Sequence, residues 1–280
     1  MSPAKAPVTA VILTKNEERA IARCVAAASF CDQILVVDSH STDCTVEIAE
    51  AAGATVLAFT WNGYYPKKKQ WGMQHEAVRN DWVLHLDADE VVSGALAKEI
   101  TAAVTNTDAG VVAYEARLAY FFAGRLLKHG HQVRKRILLD RRYVRFPEID
   151  DLDAPGITEV EGHYQPVASG PVQTLTEQLL HDDPDPLSTW IERHNKYAGW
   201  EAHLRTHDEV RTRVRRARSL QGRIFDRLPG KPLGLFLYSF LVRLGFLDGR
   251  AGFDYAYAMA WYQWLINANV RESLEGRRGH

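Results

Sequence analysis

The first ninety residues alternate short runs rich in β-branched and apolar residues with stretches of helical spacing, and few folds accommodate that rhythm. Val8 to Leu13, Gln33 to Val37, Thr55 to Phe59 and Trp82 to Leu86 read as strands, and Glu17 to Ala28, Thr42 to Ala52 and Pro66 to Arg79 as the helices between them. Strands joined through helices run parallel, because the connection must cross over the sheet to start the next strand at the same edge. Asn16 is placed to cap the first helix, whose Ile21, Val25 and Ala28 share one face, and Gly53 to end the second. Beyond Leu86, strand-like content recurs at Gly110 to Arg117, Arg136 to Asp140 and Val172 to Leu180 between polar, Gly- and Pro-bearing segments, so a mixed sheet is expected.

After His181 the texture changes. Asp182 to Pro186 reads as a linker, Leu187 to about Phe225 as a long helix, and Leu228 to Gly234 as a break. Two aromatic-rich helical stretches follow, Leu235 to Leu247 and Phe253 to Val270. The expected organisation is an α/β domain over residues 1–181 and a helical C-terminal extension over 182–280. The 34 Lys and Arg balance 35 Asp and Glu, so no global field points to nucleic acid. Three cysteines without CxxC spacing, Cys24, Cys31 and Cys44, fit a reducing compartment, which places the chain in the cytoplasm. Met1 to Pro7 lacks the apolar core of a secretory signal. Leu233 to Val242 is ten apolar or small residues, about half of the roughly 20 a spanning helix needs, so no integral span is expected.

In open α/β sheets ligands bind beyond the carboxyl ends of the strands, where loops project side chains. Here those ends carry Thr14-Lys15-Asn16-Glu17, then Asp38-Ser39-His40-Ser41-Thr42-Asp43, then Asp87-Ala88-Asp89-Glu90. Any one of these also serves helix capping, but three of the four strands deliver carboxylates or amides to one edge. Asp87 and Asp89 place two hard oxygen donors close together, which suits Mg²⁺ or Mn²⁺ bridging a diphosphate. The chain has no GxGxxG after Leu13 and no GxxxxGK[ST], GxSxG or HExxH, which disfavours dinucleotide enzymes, P-loop ATPases and two common hydrolase classes.

Val11 to Glu18, Val36 to Ser39 with Ser41 to Asp43, and Leu86 to Glu90, in this order and spacing, resemble the family 2 inverting glycosyltransferases of GT-A fold. Further along, Gly156 to Glu159, Leu179 to His181, Asn195 to Tyr197 and Gly245 to Phe253 resemble a bacterial subgroup that includes lipopolysaccharide-core glucosyltransferases. The resemblance implies a nucleotide-diphospho-sugar transferase with a Rossmann-like mixed sheet, its nucleotide-sugar half over about 1–100 and its acceptor half over about 101–181. It implies a UDP-sugar donor held by Thr14, Asn16, Glu17, Asp38, Ser39, Gln70 and Asp87, with Asp38 on the uracil and Glu17 near the ribose. The metal, Mg²⁺ or Mn²⁺, falls to Asp89, helped by Asp87 and approached by His181.

Inversion needs a base that takes the acceptor proton opposite the leaving UDP. The subgroup shows His-Glu where this chain has Thr158-Glu159, so Glu159 is the candidate catalytic base, with Glu161 and Asp151 as neighbours able to compete. Lys67, Lys68 and Lys69 either approach the nucleotide or form a solvated face, and Arg134 and Arg136 either grip a phosphate or decorate the surface. Arg205 to Lys231 holds nine basic against three acidic residues, beside stripes such as Phe236, Phe240 and Phe253. Those helices either pack internally or dock on a bilayer. The expected activity is metal-dependent inverting transfer from a UDP-sugar to a glycan or glycolipid acceptor, lipopolysaccharide core among them, at the inner face of the cytoplasmic membrane, with no nucleic acid partner. Transfer to a peptide or protein side chain, and a catalytically inactive nucleotide-sugar-binding regulator, are the alternatives.

Overall fold

The computed structural model describes residues 5–106, 110–130, 132–148, 165–207 and 230–276. Contacts divide the chain into two compact units, one of Met1–Phe121, Gln132–Glu148 and Gln165–Pro184, the other of Phe122–His131, Ile149–Tyr164 and Asp185–His280.

The first unit opens with β1 (Ala6–Thr14), α1 (Ile21–Ala27), β2 (Cys31–Asp38), α2 (Thr45–Ala51), β3 (Thr55–Ala58), α3 (Lys68–Gln74) and β4 (Trp82–Asp87), the alternation anticipated from the sequence. There follow β5 (Glu90–Val91), α4 (Gly94–Thr105), β6 (Ala113–Phe122), β8 (Arg134–Asp140), β9 (Val144–Arg145), β10 (Val167–Ala168) and β11 (Val172–His181), with β7 (Arg125–Leu126) falling in the second unit. Strand order in the main sheet is β3-β2-β1-β4-β8-β6-β11-β5. β1 pairs parallel with β2 and β4, whereas β8 is antiparallel to both β4 and β6, so the sheet is mixed.

Alternation along β1 supplies two cores at once. Val8, Ala10 and Ile12 enter one cluster with Ile21, Cys24, Leu96 and Ile100, while Val11 faces the opposite cluster with Leu35, Val37 and Met73. Each fully buried aliphatic chain such as Ile12 is worth about 1.5–3 kcal/mol. On the second face α3 lies so close that a Cβ at Gly72 would sit 3.0 Å from Val37 and 3.1 Å from Val11, a spacing only glycine leaves comfortable.

Several elements depart from the sequence pattern. Asn16 does not cap α1: the helix begins at Ile21 with Ala20 at its N-cap, and Asn16 sits at φ 58° with its side chain turned to another loop. Helix α3 is shorter than Pro66 to Arg79 because the chain turns extended at His75, whose ring Nδ1 accepts from Ala77 N–H. In the second unit α5 (Leu187–Thr206) covers the start of the long helical pattern, and the rest of it to Phe225 lies outside the described residues apart from His207. The Leu235 to Leu247 stretch is not one helix but α6 (Lys231–Leu237), a π-turn at Tyr238–Val242 and a 3₁₀ turn at Gly245–Asp248, broken at Leu244 with φ 59°, before α7 (Gly249–Gly276).

Candidate active site

Register aligns the strand ends. Thr14 lies opposite Asp38 across the β1–β2 pair, and Leu13 lies opposite Asp87 across the β1–β4 pair, so three carboxyl ends finish within one residue of each other. The loops after β1 and β2 are then fastened to one another. Asn16 N–H donates to Ser41 Oγ at 2.8 Å and Asn16 Oδ1 accepts from Thr42 N–H at 2.8 Å. Glu17 N–H donates to Thr45 Oγ1 at 2.8 Å, and Glu18 N–H to Asp43 Oδ2 at 3.3 Å. Those bonds give partners to N–H groups ahead of α1, whose first backbone bonds run from Ala20 and Ile21 N–H to Glu17 O. Burial raises the Asp43 pKa, but hydrogen bonds from the Thr45 hydroxyl and the Thr45 and Glu18 N–H groups outweigh it and hold the carboxyl below its ordinary value.

Asp38, buried, accepts from Ser41 N–H at 2.9 Å and from the Ser41 hydroxyl at 2.5 Å. Thr14 and Ser39 are also buried, Ser39 N–H donates to Thr14 O at 3.2 Å, and Thr14 Oγ1 has no hydrogen-bond partner. Thr14, Asn16, Glu17, Asp38 and Ser39 thus share one cradle. Gln70, buried in α3, accepts from Phe146 N–H at 2.8 Å. The lysine run is not a uniform solvated face, since Lys68 is buried and donates to Thr14 O at 2.7 Å, while Lys67 lies 5.3 Å over the Trp61 ring.

The Asp-x-Asp turn splits its two carboxylates. Asp87 is held by Lys135, whose Nζ donates to Asp87 Oδ2 at 2.7 Å and to Glu90 at 2.6 and 2.7 Å. Asp87 N–H in turn donates to Glu90 Oε2 at 2.9 Å. Burial opposes ionisation of Asp87, but Lys135 and then Lys69 override it and hold the carboxyl well below its usual range. Burial and the neighbouring Asp87 push Glu90 the other way, up to about 7, against the pull of Lys135. Lys135 itself is held charged by the two carboxylates despite burial.

Asp89 faces elsewhere. Strand β11 pairs antiparallel with β5 so that His181 lies opposite Glu90, and Asp182 N–H donates to Asp89 O at 3.0 Å. This brings His181 Nδ1 to 3.4 Å from Asp89 Oδ1, and both atoms are buried without a hydrogen-bond partner. Burial raises the Asp89 pKa against the pull of His181. The His181 ring is fixed by an edge contact with Tyr120 at 4.9 Å and the following residue by the Arg23–Asp182 ion pair at 2.5 Å. A carboxylate oxygen and an imidazole nitrogen, close and unsatisfied, form a donor set that a divalent cation fits. Among the described residues no three His, Cys, Asp or Glu side chains converge, so the protein offers a two-point hold there.

Sequence reasoning passed over Lys135 and His85 and gave Glu90, named in the Asp-x-Asp motif, no role of its own. Period-two alternation could have found Lys135: Arg134 and Arg136 share the other face of β8, where Arg134 reaches Glu115 at 3.2 Å and Arg136 donates to Pro166 O at 2.5 Å. His85, two residues before Asp87, is buried against Phe146 with Nε2 unpartnered, and burial drives its pKa well below the ordinary value. Glu159, with Glu161 and Asp151, lies outside the described residues.

The glycosyl transferase family 2 profile matches residues 9–166, more than half of the chain, and the chain belongs to that family. It is a glycosyltransferase, and its fold is a mixed α/β sheet with a helical C-terminal region. An uncharacterized glycosyltransferase of Rickettsia felis is 28% identical over 95% of this chain and 90% of its own length. The lipopolysaccharide core biosynthesis glycosyltransferase LpsC of Rhizobium meliloti is 26% identical over 98% of this chain and 96% of its own. A solved structure of glucosyl-3-phosphoglycerate synthase from Mycobacterium tuberculosis, with Mn²⁺, UDP and glucosyl-3-phosphoglycerate, aligns over 71% of this chain and 80% of that chain at 17% identity and TM-score 0.40.

Proposed function

We propose that the enzyme is an inverting transferase that moves a sugar from a UDP-sugar to a glycan or glycolipid acceptor of the lipopolysaccharide-core class, at the inner face of the cytoplasmic membrane. The observation that carries this reading is the unsatisfied Asp89–His181 pair, 3.4 Å apart, on the same turn as an Asp87 aligned with the Thr14–Asp38 cradle. The acceptor class draws support from the near full-length likeness to LpsC.

In this reading Asp38 accepts the uracil N–H and Glu17 takes ribose hydroxyls, while the stapled loops hold both in place before the donor arrives. Asp89 and His181 hold the divalent cation, and their mixed oxygen and nitrogen donors suit Mn²⁺ better than Mg²⁺. Bound there, the cation supplies charge neutralisation for the departing diphosphate. The acceptor oxygen bonds to the anomeric carbon as the bond to the UDP oxygen breaks, the electron pair leaving with UDP and the acceptor proton passing to the Glu159 carboxylate.

A panel of nucleotide-sugars assayed by UDP release, with and without a lipopolysaccharide-core acceptor, tests the proposal. Release from one UDP-sugar, stimulated by that acceptor, is expected. Stimulation by a peptide instead would move the acceptor to a protein side chain, and binding without release from any donor would make the chain a nucleotide-sugar-binding regulator.

A further inference from the structure

The second unit carries a surface that the proposed chemistry does not use. Between Lys231 and Asp248 the single charged residue is Arg243. Within that stretch Phe236 and Phe240 turn inward. Phe236 and Phe240 stack with centroids 5.4 Å apart, and both meet Phe253 of α7 nearly edge-on at 5.6 and 5.7 Å. The leucines turn outward. Leu233, Leu237 and Leu241 follow one another at intervals of four and stand 64%, 41% and 51% exposed, and Val242, Phe246 and Leu247 extend the same character. An apolar stripe on the solvent side of an ordered helix marks a surface with a partner.

The stripe is held stiffly. The Asp248 carboxylate accepts from His129 N–H at 2.8 Å and lies 3.0 Å from its ring Nδ1, and Gly130 N–H donates to Arg243 O at 2.8 Å. The turn packs backbone against backbone: a Cβ at Gly252 would clash with Gly245 O, and one at Gly245 would fall 2.8 Å from Ser239 O. The arms Lys231–Val242 and Gly245–Glu275 meet at a 72° bend, and among the described residues no single helix is long and apolar enough to cross a membrane. Together the two arms are long and apolar enough for a broken span, but their bend and their outward leucines suit the headgroup boundary of one leaflet.

Charge names the occupant. Arg205 to Lys231, directly before the hairpin, carries nine basic against three acidic residues. Among the described residues Lys231 stands two positions before Leu233 and Arg243 directly follows Val242, so positive charge adjoins the stripe at both ends of its first arm. Basic residues beside an exposed apolar stripe complement an anionic lipid surface. We propose that the Leu233–Leu247 hairpin is a wedge that docks this enzyme on an anionic bilayer, its leucines in one leaflet and its flanking Lys231 and Arg243 toward the headgroups. The inference deepens the reading of a membrane-located acceptor, but its test uses neither donor nor acceptor, so either can fail without the other.

The experiment is flotation of the full chain with phosphatidylcholine vesicles, with and without phosphatidylglycerol, at low and high salt. Wild type is expected to float with the anionic vesicles and less so at high salt, and Leu233→Glu/Leu237→Glu/Leu241→Glu to lose binding at least about tenfold. These three side chains are exposed, so an unchanged thermal melt should accompany the loss. Absence of flotation at low salt, or flotation unchanged in the triple variant, overturns the proposal. So does a wild type that fails to float but forms a dimer which the triple variant makes monomeric, because the hairpin is then a contact between two copies.

Discussion

The Lys135 ammonium lies 2.6 Å from Glu90 Oε2, and the same nitrogen lies 2.7 Å from Asp87 Oδ2, so one buried cation serves two carboxylates at the Asp-x-Asp turn. The Lys135 side chain is 15% exposed and that of Glu90 1% exposed. Removing the cation therefore strands a charge that water does not reach. Lys135→Met is expected to cost about 3–5 kcal/mol, the range for breaking a buried pair from one side. Adding Glu90→Gln should restore part of it. Urea unfolding of the single and double variants measures both, and additive losses would show that Lys135 and Glu90 are not coupled.

That cluster also sets a pH dependence. Burial and Asp87 raise Glu90 from 4.5 to about 7, so between those values the folded chain keeps a proton the unfolded chain has released. Its stabilising contribution is full below about 4.5, falls as pH rises and is gone above about 7, a change of up to roughly 3 kcal/mol. Asp87, depressed by Lys135, acts in the opposite sense, its contribution being lost only as pH falls below the ordinary carboxylate range. The stability of wild type relative to Glu90→Gln should therefore drop from pH 5 to pH 8. Parallel profiles would mean that Glu90 ionises normally.

How much of this was legible in the sequence depended on which interactions are local. The first seven elements follow from the spacing of residues such as Val8, Ile12, Ile21 and Val25, because strand and helix periods act over a few positions. The strand ends bearing Thr14, Asp38 and Asp87 were legible for the same reason. What escaped depends on long-range pairing. Nothing near Asn16 says that its amide will face Thr42, 26 residues away, rather than cap its own helix. Lys135 meets Asp87 48 residues away only because β8 runs antiparallel beside β4. The breaks inside Leu235 to Leu247 follow from the close backbone packing of Gly245 and Gly252, which periodicity does not encode.

The loop staple gives a prediction that separates binding from chemistry. Asn16 holds φ 58° and bridges Ser41 and Thr42, so Asn16→Ala loses the side-chain bond to Thr42 and strains the backbone, by roughly 1–3 kcal/mol together. Since the loop precedes Glu17 and faces Asp38, the donor KM should rise about tenfold while kcat changes little. Asn16→Gly, which tolerates the positive φ but lacks the amide, should fall between the two. Equal losses in kcat would move Asn16 from donor binding to the chemical step.

Glu159→Gln keeps volume and removes basicity. Donor affinity is expected to persist while transfer falls by roughly 10² to 10⁴-fold. Isothermal titration with UDP beside the transfer assay reads the two separately. Matching losses would place Glu159 in the donor site, and unchanged transfer would shift the base to Glu161 or Asp151.

The division of labour between Asp87 and Asp89 leads to an asymmetry between two variants of nearly identical shape. Asp89 Oδ1 and His181 Nδ1 are buried and unsatisfied, whereas Asp87 already has the Lys135 ammonium at 2.7 Å. Asp89→Asn and His181→Ala should each weaken Mn²⁺ binding, followed by electron paramagnetic resonance with UDP present, and Asp87→Asn should leave it within a few-fold of wild type. Turnover of Asp89→Asn should fall at least about a hundredfold, the equivalent of roughly 3 kcal/mol of transition-state stabilisation. Folding should survive in Asp89→Asn, because its Oδ1 makes no hydrogen bond in the folded chain and the exchange of oxygen for amide keeps the volume. If Asp87→Asn abolishes Mn²⁺ binding while Asp89→Asn spares it, the cation sits on the Lys135 side of the turn and the Asp89–His181 assignment fails.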